Sequence, residues 1–86
     1  MSYRVEIRPS VEKTLGKIRD PRLRHRIGDA FNKLAENPRR MGVEKLAGVE
    51  NRYRFRVGDY RIIYEIHDAL LVVLILAVGD RKGIYR

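Results

Sequence analysis

The run Arg52-Tyr53-Arg54-Phe55-Arg56-Val57-Gly58-Asp59-Tyr60-Arg61-Ile62-Ile63-Tyr64-Glu65-Ile66 decides the fold. Tyr53, Phe55 and Val57 alternate with Arg52, Arg54 and Arg56, the period of two that sends successive side chains to opposite faces of a strand. Gly58-Asp59 is a two-residue turn signal, and beyond it Tyr60, Ile62, Tyr64 and Ile66 alternate with Arg61, Ile63 and Glu65. A β-hairpin with one apolar and one arginine-bearing face is predicted. On its C-terminal side His67-Asp68 reads as a turn, and Leu70 to Val78 is apolar on both faces, as a central strand is. Gly79 to Arg86 is a short basic tail. On its N-terminal side Met41 to Glu50 reads as a loop punctuated by Gly42 and Gly48, with Leu46 as an anchor into the core.

Further upstream, Tyr3, Val5 and Ile7 alternate with Arg4, Glu6 and Arg8, a half-buried strand that Pro9 ends. Ser10 is the predicted N-cap of a short helix carrying Val11, Leu15 and Ile18 at helical spacing. Asp20-Pro21 restarts the chain as a second helix, with Asp20 capping and Pro21 in the first turn. Leu23, Ile27, Phe31 and Leu34 form its apolar stripe, and Asn37-Pro38 stops it. The order β-α-α-β-β-β predicts an α+β domain spanning 1–86, in which a helical hairpin packs on one face of a mostly antiparallel sheet.

Composition narrows the function. A chain of 86 residues builds one modest core, burying about 60–65% of the surface its unfolded form exposes. It has no cysteine, which excludes disulfides, thiolate metal sites and a cysteine nucleophile, and its two histidines cannot form a His-rich zinc cluster. No metal or other cofactor is expected. The longest apolar run, Ala69 to Val78, is about half a membrane span, and the N-terminus lacks a signal-peptide core. The expectation is a cytoplasmic protein with no membrane partner. Its net charge of +8 points to a polyanion.

The charge is clustered. Lys17, Arg19, Arg22, Arg24 and Arg26 form one group, Arg52, Arg54, Arg56 and Arg61 a second, and Arg81, Lys82 and Arg86 a third. A solvated helix face accounts for the first. The second is different, because the hairpin projects Arg54, Arg56 and Arg61 together from the face opposite the core. A pair of guanidinium groups about 6 Å apart repels by roughly 2–3 kcal/mol at an effective dielectric near 20, and by well under 1 in water. Such crowding is useful when a phosphate arrives, since arginine forks onto its oxygens. Arg81 and Tyr85 follow in the tail, where Tyr85 is either a packing anchor or a base-stacking group. His25, on a helix among arginines, and His67, in a turn, are weaker candidates. No P-loop, GxSxG, HExxH or carboxylate pair is present.

Three segments together resemble a known family: Lys45-Leu46-Ala47-Gly48, the run Tyr53 to Tyr64, and Val78-Gly79-Asp80-Arg81 through Ile84-Tyr85-Arg86. They are similar to the RelE/ParE superfamily of type II toxin–antitoxin toxins, and more closely to its RelE branch. The resemblance implies a metal-independent endoribonuclease that enters the ribosomal A site and cuts mRNA. It also implies a cognate antitoxin that wraps and neutralises the toxin in a hetero-oligomer. Carried over by position, it implies that Arg54, Arg56, Arg61, Arg81 and Tyr85 form the catalytic set. Some members have lysine where Arg54 and Arg56 stand, and many have a basic residue in place of Asp80. The alternatives are a ParE-like gyrase inhibitor on the same fold, a non-catalytic RNA-binding module, and a basic structural protein of the ribosome.

Overall fold

The computed structural model of the chain describes residues 2–80. It begins with strand β1 (Arg4–Ile7), helix α1 (Pro9–Gly16) and helix α2 (Pro21–Glu36). Strands β2 (Val43–Lys45), β3 (Arg52–Val57) and β4 (Tyr60–His67) follow, then a 3₁₀ turn at Asp68–Leu70 and strand β5 (Val72–Asp80). The sheet has the order β1-β5-β4-β3-β2, with β1 parallel to β5 and every other pair antiparallel. The two helices and four long strands stand in the order expected from the sequence. The segment read as a loop adds the short strand β2, which pairs Val43 with Phe55 and Lys45 with Tyr53. Three residues carry too little periodicity to be seen without their partner strand.

The helix ends follow local chemistry. Asp20 accepts a hydrogen bond from the Arg22 backbone N–H at 2.9 Å, Pro21 opens α2 and Asn37 closes it. At α1 the expected Ser10 cap is not used. Pro9 is already helical, Arg8 occupies the cap position in extended conformation, and no side chain caps the helix. Proline lacks the N–H that a cap would serve, so it can open the helix itself. The β3–β4 connection is the predicted two-residue turn, with Gly58 at φ +58°. That is the conformation glycine supplies at the first central position of a hairpin turn.

Ile27, Ala30, Phe31 and Leu34 of α2 and Val11 and Ile18 from the α1 region pack on Val57, Ile62, Tyr64, Ile66, Val73, Ile75 and Val78 of the sheet. The alternation of β5 is broken once. Ile63 pairs with Ala77 but Tyr64 pairs with Ile75, leaving Leu76 as an extra residue. This bulge lets Val73, Ile75 and Val78 all reach the core despite their mixed parity, and it turns Ala77 and Gly79 to the other face.

At the end of the sheet away from the β3–β4 turn, polar groups fasten the loops to the core. Arg39 grips the Asp68 carboxylate through both Nη atoms, at 3.0 and 2.7 Å, and Tyr3 donates to the same carboxylate at 2.5 Å. The Arg39 guanidinium also lies 5.9 Å from the Tyr53 ring centre, and that ring stacks on Tyr64. The Tyr64 hydroxyl donates to the Pro38 carbonyl at 2.6 Å, fixing the exit of α2.

Candidate nucleic-acid interface

The helices cover one face of the sheet, and the arginines of the hairpin project from the other. Arg56 stands directly across from Arg61 in the β3–β4 register, and Arg54, two residues back along β3, stands across from Ile63. Directly opposed residues of an antiparallel pair have Cβ atoms about 4.5–5.5 Å apart, so Arg56 and Arg61 are immediate neighbours. Their environments differ. Arg56 is exposed and has no carboxylate within 4.0 Å among the described residues, whereas Arg61 is only 8% exposed. On the far side of Arg61 the register partner is Gly79, and that of Ile63 is Ala77. The bulge at Leu76 thus sets Gly79 beside Arg61 and Ala77 beside Ile63 on this face, keeping bulk away from the flank of Arg61.

The face is also less uniformly basic than the alternating pattern suggests. Glu44 of β2 sits across from Arg54 and binds it at 3.1 Å, so it joins Glu65 as an acid on this face. Sequence reading missed Glu44 because its strand was hidden in the loop; the signal was the pattern Val43-Glu44-Lys45, too short to act on alone. Farther along, Glu65 binds Arg52 at 2.7 Å and His67 Nε2 at 3.0 Å. Arg52, and after it His67, holds the Glu65 carboxyl below the usual carboxylate range. His67 is the last residue of β4 rather than part of a turn, which is how it reaches Glu65. His25 is exposed on α2, the helix on the opposite side of the sheet.

The structure therefore brings together Arg54, Arg56 and Arg61 of the sequence-derived set. Arg81 and Tyr85 lie outside the described residues. Chemically, the hairpin end offers one buried guanidinium, one exposed with no carboxylate within 4.0 Å among the described residues, and a third shared with an exposed carboxylate that a stronger anion can displace. Among the described residues there is no group of three or more His, Cys, Asp or Glu side chains placed to hold a metal ion, and no helix long and apolar enough to cross a membrane.

Residues 5–85 match the family model described as the ParE toxin of the type II toxin–antitoxin system parDE. Toxin RelG of Mycobacterium tuberculosis is 31% identical over 86 residues, covering 100% of this chain and 99% of that protein. Among solved structures, the archaeal RelE–RelB complex from Pyrococcus horikoshii aligns at a TM-score of 0.81 and 32% identity, covering 96% of this chain and 99% of that one. The toxin–antitoxin complex RelBE2 of Mycobacterium tuberculosis aligns at a TM-score of 0.81 and 29% identity, covering 94% and 100%. The model carries the ParE description while the relatives carry RelE and RelG names, and full-length identity to individual proteins resolves the branch better than a shared family profile. This chain belongs to the ParE/RelE family of type II toxin–antitoxin toxins, on its RelE branch.

Proposed function

We propose that the protein is an endoribonuclease that cuts mRNA in the ribosomal A site, and that a cognate antitoxin holds it inactive in a hetero-oligomer. The observation that carries the reading is the β3–β4 register, in which Arg56 and Arg61 oppose one another with Arg54 on the same face. Two guanidinium groups side by side suit the two non-bridging oxygens of a phosphodiester. RNA brings its own nucleophile, the 2′-hydroxyl. Its oxygen attacks the adjacent phosphorus in line, the bond to the 5′-oxygen breaks, and the products are a 2′,3′-cyclic phosphate and a 5′-hydroxyl. Arg61 holds the non-bridging oxygens as negative charge builds on them. Arg81 stabilises the departing 5′-oxygen, and Tyr85 orients the nucleotide by stacking.

Arginine stays protonated in proteins, so Arg54 and Arg56 act by acidifying the 2′-hydroxyl, whose proton passes to solvent hydroxide, and water returns a proton to the departing 5′-oxygen. Glu65 is poorly suited to be the base, because Arg52 and His67 stabilise its ionised form and weaken its affinity for a proton. The antitoxin reading is supported by the Pyrococcus and Mycobacterium relatives, whose structures are toxin–antitoxin complexes. An acidic antitoxin segment lying over Arg56 and Arg61 would occupy the substrate's place.

Primer extension on an mRNA in a reconstituted translation reaction tests the reading. The expected result is stops within A-site codons, abolished by a 2′-deoxy substitution at the cleaved nucleotide. Intact mRNA beside inhibited supercoiling would instead favour the gyrase-inhibitor alternative.

A further inference from the structure

The first basic cluster is not merely a solvated helix face, because one of its members leaves the helix surface for the hairpin. The guanidinium of Arg26 reaches from α2 onto the β3–β4 turn, so close that a carbon added at Gly58 would lie 3.2 Å from its Nη1 and 3.3 Å from its Nη2. Arg26 and Lys33 of α2 and Arg56 of β3 are among the residues lining a cleft of about 190 Å³ between α2 and the hairpin, with Val57 and Gly58 beside them. The acid in that cleft, Asp29, is engaged by Lys33 at 3.4 Å. Neither Arg26 nor Arg56 has a carboxylate within 4.0 Å among the described residues, and Asp59, though next in the turn, pairs with neither. Strand β2 pairs only as far as Phe55, so among the described residues no strand covers the outer edge of β3 at Arg56 and Val57. The Arg26 guanidinium, with no carboxylate within 4.0 Å among the described residues, thus lies at an open notch beside the tip of the hairpin, on whose edge strand Arg56 stands.

We infer that this notch is a second phosphate site, where Arg26, with Arg56 and Lys33, holds a backbone phosphate of the bound RNA beyond the one at Arg61. Arg56, whose side chain starts from the open face at the edge of β3, stands between the two sites, so the strand passes from the open face of the sheet around that edge toward α2. Glycine at position 58 serves this passage: it gives the turn its positive φ and leaves the room in which Arg26 lies across the backbone. The contact is to phosphate and carries no base preference. The inference rests on the reading that this chain binds RNA, but not on its cutting the RNA.

The test measures binding of a 2′-O-methyl RNA oligonucleotide, which lacks the attacking hydroxyl, between about 50 and 200 mM salt. Each phosphate contact to a single strand contributes about 0.7 to the slope of log K against log salt, so Arg26→Gln is expected to make the slope shallower by about 0.7. Arg26→Lys should keep the wild-type slope. Gly58→Asp approaches the notch from the other element: its carboxylate would neutralise Arg26 and give the same shallower slope, while Gly58→Asn, equal in size, should not. An Arg26→Gln slope equal to wild type would overturn the inference while leaving the endoribonuclease reading intact. A loss seen with poly-glutamate and not with RNA would also overturn it, assigning the notch to an acidic protein. Absence of any salt-dependent RNA binding by the wild type would overturn both readings together.

Discussion

Tyr64 joins the sheet to the segment that leaves α2. Its ring is fully buried against Tyr53, and its hydroxyl satisfies the Pro38 carbonyl at 2.6 Å. Tyr64→Phe keeps the ring and orphans that carbonyl, so we expect a loss of about 1–2 kcal/mol in a urea titration, with the slope unchanged. Asp68 gives a different signature. Hydrogen bonds from Arg39, and after it Tyr3, hold its carboxyl down to about 2 from an ordinary 3.8. A folded-state value below the unfolded one means that the stabilisation is complete above the unfolded value and is lost as pH falls from about 4 through about 2. Asp68→Asn should therefore lower the urea midpoint at neutral pH and flatten its decline between pH 4 and pH 2. An identical acid decline in wild type and variant would contradict this assignment.

Among the elements, β5 is the one whose detail matters most to the site. The bulge at Leu76 decides that Val78 enters the core and that Ala77 and Gly79 flank Ile63 and Arg61. Deleting Leu76 should give a regular strand in which Ile75 and Val78 still face the core and Ala77 and Gly79 the arginine face, so a urea titration should find the variant folded with a midpoint close to wild type. Cutting should be retained, because Gly79 would still stand beside Arg61. A variant that unfolds, or that folds and no longer cuts, would show that Leu76 is more than the extra residue of the bulge.

This element also marks the limit of what the sequence revealed. The β3–β4 hairpin, the Asp20 cap and the apolar stripe of α2 could be read directly, since each rests on neighbours within a few residues. The bulge could not, because Leu70 to Val78 is apolar throughout and carries no alternation to be broken. Glu44 escaped for the related reason that β2 is defined by its pairing with β3 rather than by its own pattern. The reach of Arg26 onto Gly58 joins residues 32 positions apart. No local rule encodes such a contact.

For the whole molecule, the division of labour follows from the layers. The helices and one face of the sheet make the core, which leaves the other face free to carry like charges at a density a core-facing surface could not bear. Charges held in place before the substrate arrives need no reorganisation during the reaction, which is the source of their effect on rate. With arginines in place of a titrating base, the pH–rate profile should climb smoothly toward alkaline values. A plateau below neutral pH would point to a carboxylate or histidine base instead.

The central claim is that Arg61 stabilises the charge developing on a phosphodiester, and single-turnover cleavage of mRNA on the ribosome by the wild type and Arg61→Ala tests it most directly. The account predicts that the wild type leaves 2′,3′-cyclic phosphate ends and that Arg61→Ala, folded by circular dichroism and still bound, cuts about 10²–10³-fold more slowly. Equal cutting by the two proteins, or intact mRNA with both, would contradict it.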